Sequence, residues 1–149
     1  MPAIQSLKSD NITPAELEGL RVLVIDDDVD VRELAEKILT DAGALVSLAD
    51  SVRAAFELLV TARPHVIISD IEMPEENGYS FLRNLRSVLD EDGGRTPAIA
   101  LTGRTLPEDR RRALAAGFNV HLPKPTTATE LVQAVSALVR PAGLSEVES

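Results

Sequence analysis

Cysteine and tryptophan are absent from this chain, and one tyrosine and three phenylalanines are its only aromatics in 149 residues. Without cysteine there is no disulfide, no thiolate metal site and no cysteine nucleophile. With aromatics at 3%, the core must be built from aliphatic side chains. No apolar run approaches the roughly 20 residues of a membrane span. Residues 1–20 lack the basic start and apolar centre of a secretory signal. The chain is therefore expected in the cytoplasm, without membrane attachment. Positive charge is also scarce: 15 Lys and Arg against 24 Asp and Glu leave a net charge of −9. That balance repels phosphate backbones and argues against direct DNA binding. There is no Gly-rich phosphate loop, and a Ser–His triad has no support.

What remains is 44% hydrophobic and 26% charged, ordinary for a globular protein of one-domain length. Residues 22–30, VLVIDDDVD, stand out. Four apolar residues with no polar alternation read as a strand buried on both faces. Asp26, Asp27 and Asp28 follow where that strand emerges. Clustered carboxylates repel one another unless a cation sits among them, and an oxygen-only set suits a hard cation such as Mg²⁺. Asp28 reads instead as the cap of the helix that follows.

Along the chain, residues 1–19 read as an extension, 20–140 as the domain and 141–149 as an acidic tail. Thr13-Pro14-Ala15-Glu16 carries a helix-start signature, with Gly19 as its stop. Strands are expected at 21–26, 44–48, 65–70, 97–101 and 119–122. Between them, apolar residues recur at helical spacing. The first set is Val31, Leu34, Ala35, Ile38 and Leu39, ended by Gly43. Ser51 caps the second, Ala54, Ala55, Leu58 and Leu59, which stops at Arg63-Pro64. The third set is Phe81, Leu82, Leu85, Val88 and Leu89. The fourth, Ala113, Leu114 and Ala116, is thin, and Gly117 ends it. The fifth is Leu131, Val132, Val135, Leu138 and Val139.

Strands alternating with helices predict a doubly wound α/β sheet with a mostly parallel core and right-handed crossovers. In such folds the functional crevice lies at the carboxyl ends of the strands. The polar residues at those ends are Asp26 and Asp27, Asp70, Thr102 and Lys124. Three aspartates, a hydroxyl, an ammonium and Mg²⁺ fit phosphoryl transfer to an aspartate. Asp70 stands alone at the end of a central strand and is the attacking group, while Asp26 and Asp27 are better suited to hold metal.

The chain resembles the receiver domain of two-component response regulators over about residues 19–140, in VLVIDDD, IISDIEMP with Gly78, ALTG and LPKP, in that order. The resemblance implies a flavodoxin-like, five-stranded parallel sheet of strand order 2-1-3-4-5 with five helices. It implies Asp70 as phosphoacceptor and Asp26 and Asp27 as the Mg²⁺ pocket, completed by the backbone carbonyl of Glu72. Thr102 is then the switch hydroxyl, Lys124 the phosphate-pairing lysine, and the Lys124-Pro125 bond cis. The implied donor is a histidine of a histidine kinase or of a histidine phosphotransfer domain. The chain is then not an enzyme in the ordinary sense; it catalyses only its own phosphorylation and autodephosphorylation. Thr102 would turn to the phosphoryl group, and the face of the fourth helix, fifth strand and fifth helix would repack. A weak homodimer through that face is a family expectation. Nothing after residue 140 is long enough for an output domain, so the output is expected to be a protein contact or a domain outside this sequence.

Some residues depart from the family pattern. His121 occupies the switch position where the family commonly has Tyr or Phe. Gly-Phe-x-x-His-Leu-x-Lys-Pro and the lead-in LEGLRVLV resemble receivers attached to hybrid sensor kinases. Glu72 and Arg104 each lie two residues past a site residue; facing the crevice, they would pair across its mouth and could screen a phosphoryl group from water. His65 reads as structural, Met73-Pro74 as loop geometry, and Arg110, Arg111 and Arg112 as a solvated face. Two alternatives stand beside the receiver reading. One is a haloacid-dehalogenase-like phosphatase that uses Asp26 with Asp28. The other is a receiver that binds partners without being phosphorylated.

Overall fold

Aliphatic runs without polar alternation become the interior strands. Each is flanked by helices whose start or end carries a named stop signal. The computed structural model describes residues 16–73, 77–88 and 93–139. In chain order these hold β1 (Arg21–Ile25), α1 (Val29–Asp41), β2 (Leu45–Ala49), α2 (Val52–Thr61) and β3 (Val66–Ser69). Then come α3 (Gly78–Arg86), β4 (Ala98–Thr102), α4 (Pro107–Ala116), β5 (Val120–Pro123) and α5 (Ala128–Val139). The strands form one parallel sheet in the order β2-β1-β3-β4-β5. This is the architecture expected from the sequence, with strand ends displaced by at most one residue.

Alternation along β1 separates two cores. Leu23 and Ile25 face a cluster with Ile67, Phe81, Leu82, Leu85 and Phe118, on the side covered by α2, α3 and α4. Val22 and Val24 face Val66, Ile68, Ile99, Leu101, Leu131 and Val135, on the side covered by α1 and α5. Phe56 and Phe81 meet edge to face at 5.2 Å, the one aromatic pair found among the described residues. Leu17, from the lead-in, is fully buried in the α1–α5 core, and its N–H donates to Ala42 O at 2.7 Å. Residues 16–20 are thus packed against the body of the domain. Of the Thr13-Pro14-Ala15-Glu16 signature only Glu16 falls among the described residues, and the 141–149 tail falls outside them.

The helix caps follow the residue types. The Asp28 carboxylate accepts the amides of Asp30 and Val31, Ser51 that of Ala54, and Asn77 that of Ser80. Thr127 and Glu130 exchange bonds as a capping box, Thr127 Oγ1 taking Glu130 N–H at 3.0 Å and Glu130 Oε1 taking Thr127 N–H at 3.2 Å. Gly117 ends α4 at φ 118°, a left-handed position that favours glycine.

Three expectations are corrected. The third helix stops at Arg86, because Ser87 and Val88 donate to carbonyls three residues back and close the last turn. Val88 still packs on the core, and Leu89 lies outside the described residues. Leu34 is exposed, because α1 turns Ala35 and Leu39 inward and leaves Leu34 a step of about 100° away. Leu114 is exposed as well, since α4 buries Asp109, Ala113 and Ala116. Among the described residues no helix is long and apolar enough to cross a membrane.

Candidate functional site

The acid cluster is set by strand register. Ile25 pairs with Ser69, so Asp26 and Asp70 leave neighbouring strands at the same edge. Asp70 N–H donates to Ile25 O at 2.9 Å, which locks the two strand ends together. Asp26, Asp27 and Asp70 each bring a carboxylate oxygen within 4.8 Å of the others. Asp26 and Asp70 are buried, at 2% and 6% exposure, and Asp27 is exposed. Asp28 is drawn away into its capping role, so it does not join the cluster. An all-oxygen carboxylate set with one open side fits Mg²⁺, which keeps waters and takes phosphate oxygens beside one or two carboxylates.

One cation balances these acids. Lys124 Nζ donates to Asp26 Oδ2 at 2.9 Å and lies 3.5 Å from Asp70 Oδ1. The Lys124-Pro125 bond is cis, as the resemblance implies. Burial alone would lower the Lys124 pKa; the bond to Asp26 and the charge of Asp70 outweigh it and hold the ammonium protonated. Burial, helped by the charge of Asp26, pushes Asp70 up to about 6, against the opposing pull of Lys124 and the amides of Glu72 and Ile71. Thr102 ends β4 beside β3, is fully buried, and accepts Arg104 N–H on Oγ1 at 3.1 Å.

The two flanks of the site differ. Toward α4, Arg104 Nε donates to Glu72 Oε2 at 2.6 Å, so the pair anticipated across the mouth forms. Arg104 Nη1 also lies 3.7 Å from Asp109 Oδ1. His121 Nε2 lies 2.9 Å from Arg104 O; a carbonyl only accepts, so this nitrogen carries the proton. Toward α1, a groove of about 310 Å³ runs between α1 and α5 up to Lys124, lined by Val31, Leu34, Ile38, Leu101, Pro125 and Leu131.

Several residues here carry more than the sequence suggested. Arg32 Nη1 donates to Asp26 O at 2.6 Å and steadies the backbone of the acid pair. Asp109 is a buried acid, and its Oδ2 accepts Leu106 N–H at 3.2 Å. Its position three residues after Leu106, behind Pro107, was a usable capping signal, but nothing in it foretold the link to Arg104. Arg112 sits 4.2 Å over the Tyr79 ring, so the arginine run is not wholly a solvated face. His65 Nδ1 accepts Arg21 N–H at 3.0 Å, the structural role expected of it. Gly78 is held tight: a Cβ there would lie 2.5 Å from Asp70 O and 2.9 Å from Ile71 Cα.

The family model of the response regulator receiver domain matches residues 22–136. The "uncharacterized 14.6 kDa protein in sodA1 3′ region" of Leptolyngbya boryana is 40% identical over 119 residues, covering 80% of this chain and 89% of that protein. The response regulator MprA of Mycolicibacterium vanbaalenii is 37% identical over 121 residues, and the match spans 81% of this chain and about half, 51%, of that regulator. The receiver domain of a sensor histidine kinase from Pseudomonas aeruginosa, solved with a magnesium ion in its active-site cleft, superposes with a TM-score of 0.71 at 32% identity, covering 80% of this chain and 96% of that one. Strand order, acid cluster and sequence likeness agree, and the chain belongs to the response regulator receiver domain family of two-component systems.

Proposed function

We propose that Asp70 accepts a phosphoryl group from a phosphohistidine and that the chain works as a phosphorelay switch. The observation that carries this reading is the meeting of Asp70 with Asp26, Asp27 and Lys124 at one strand edge. A carboxylate oxygen of Asp70 attacks phosphorus in line. The P–O bond forms as the P–N bond breaks, and the departing imidazole takes up a proton. Asp26 and Asp27 would hold Mg²⁺, with the Glu72 carbonyl completing the protein ligands; the bound ion supplies neutralisation of the phosphoryl oxygens. Lys124 pairs with one of those oxygens, and the Thr102 hydroxyl donates to another once its loop moves inward.

The donor is a histidine kinase or a histidine phosphotransfer domain. The groove beside Lys124 supports this, since it offers an apolar bed for a histidine-bearing helix next to the acid cluster. A cytoplasmic location, weak self-association through α4, β5 and α5, and no direct DNA contact complete the reading. The phosphatase alternative loses its second aspartate, because Asp28 is engaged as the α1 cap.

Incubation with acetyl phosphate and Mg²⁺, read by intact mass, tests the proposal. One alkali-labile, hydroxylamine-labile phosphoryl group is expected, absent in Asp70→Asn. No adduct on the unsubstituted chain would favour a receiver that binds partners unphosphorylated. Steady turnover of phosphomonoesters dependent on Asp26 would restore the phosphatase.

A further inference from the structure

α4 is fastened differently at its two ends. It buries Asp109, Ala113 and Ala116 and no large apolar side chain. Two alanines remove little apolar area from water, so packing alone holds this helix weakly. Its C-terminal end is clamped by Arg86, reaching from the end of α3. Arg86 Nε and Nη2 donate to Gly117 O at 3.1 and 2.7 Å, and Nη2 also to Asn119 Oδ1 at 3.2 Å. Its Nη1 donates to Gly94 O at 3.2 Å and Thr96 O at 2.6 Å, anchoring the clamp to the segment that leads into β4.

The N-terminal end hangs on a residue outside the helix. The Arg104 guanidinium is shared between Glu72 at the mouth of the acid site and Asp109 in the first turn of α4. The backbone of Arg104 is held too, by Thr102 Oγ1 on its N–H and by His121 Nε2 on its carbonyl. Tyr79 adds a long bond of 3.4 Å to Asp109 O. The pair of Arg104 and Glu72 is half-exposed and open to salt, whereas the Arg86 clamp is made of partly buried bonds to carbonyls.

We propose that Arg104 is a latch coupling the surroundings of Asp70 to the N-terminal end of α4, and that α4 swings about the Arg86 clamp when the latch opens. The inference rests on Asp70 as phosphoacceptor for what opens it. A phosphoryl group there sets anionic oxygens beside Glu72, and the Thr102 hydroxyl turning toward them draws the Arg104 backbone with it. Asp109 then loses its cation while still buried, which loosens the first turn of α4. The sequence departure at His121 fits: its N–H fixes the loop carbonyl from β5, a bond that Phe cannot make.

Hydrogen exchange on the full chain, resolved along α4 by mass spectrometry, tests this in Arg104→Ala, Arg104→Lys and Glu72→Gln. In Arg104→Ala without modification, amides of residues 110–112 are expected to exchange about tenfold faster, while those of residues 114–118 stay as they were. Glu72→Gln should show a smaller effect of the same shape, and Arg104→Lys should restore part of the protection. Beryllofluoride with Mg²⁺ should produce the Arg104→Ala pattern in the unsubstituted chain. Unchanged first-turn amides in Arg104→Ala, or equal acceleration along the whole helix, would overturn the latch. Fluorine NMR separates the two readings. Beryllofluoride bound without the exchange pattern sinks the coupling alone, whereas beryllofluoride that does not bind sinks the phosphoacceptor reading, leaving Arg104→Ala to decide the fastening of α4.

Discussion

Asp70→Asn should make the metal-free chain more stable at neutral pH. Burial and the charge of Asp26 raise the Asp70 pKa from 3.8 to about 6. At 1.36 kcal/mol per pH unit, holding this carboxylate ionised in the folded state costs on the order of 3 kcal/mol. Asparagine removes the charge and keeps an oxygen for the Glu72 amide, which lies 3.3 Å from Asp70 Oδ1. The pull of Lys124, 3.5 Å away, is already contained in that net shift, so the expected gain is on the order of 3 kcal/mol. The pH dependence fixes the sign. Above pH 6 the carboxylate is charged in both states and the whole cost is present. Between 6 and 3.8 the folded chain binds a proton that the unfolded chain does not, so the cost fades, and below 3.8 it is gone. Urea unfolding in EDTA, at steps from pH 7.5 to 4, measures the difference between the two proteins, in which the other carboxylates cancel. The gain should be largest at pH 7.5, shrink as pH falls through about 6, and be reduced by saturating Mg²⁺. An asparagine variant no more stable than the parent at pH 7.5, or a gain that does not change with pH, would refute the electrostatic account of the site.

Leu17→Ala should destabilise the chain by about 2–4 kcal/mol in the same unfolding assay, because the side chain is fully buried in the core that α1 and α5 cover. A loss under 1 kcal/mol would mean that residues 16–20 are not integral to the fold. Arg86→Ala should cost about 2–4 kcal/mol, since it orphans the carbonyls of Thr96, Gly94 and Gly117, and Arg86→Lys should recover less than half for want of the planar fork. The His65 pKa is lowered by burial and by the charge of Arg21, so the folded chain prefers the neutral ring that accepts Arg21 N–H. That stability is present above the ordinary histidine value of 6.5 and is lost as pH falls below it. NMR titration of the imidazole should find its midpoint below 6.5, and a midpoint above it would reverse the sign.

The sheet was legible because its signal is local. Uninterrupted aliphatic runs such as VLVI and VII, each bounded by a polar residue or a stop signal, read as interior strands, and Gly43, Gly117 and Pro64 mark where helices stop. The site was legible because the fold brings strand ends together, so Asp26, Asp70, Thr102 and Lys124 could be grouped before any distance was known. The cross-fold contacts were not legible. Nothing in the spacing of Arg86 and Gly117, 31 residues apart, points to their bond, and Asp109 carries the same letter whether it caps in solvent or is buried against Arg104. Leu34 and Leu114 misled for the opposite reason. Helical periodicity marks a face, but it does not say how wide a strip the neighbouring element covers.

Gly78 has a consequence for how this protein tolerates change. Its missing Cβ is the clearance through which α3 rests on the carbonyl of Asp70 and the Cα of Ile71. Any added atom displaces main chain, and the main chain it displaces is the stretch that aims the Asp70 carboxylate. In a survey of random substitutions, position 78 would therefore group with the acids by loss of signalling, although it carries no reactive atom. The position acts as a spacer gauge, setting the height of the Asp70 carboxylate by leaving room for the main chain that carries it.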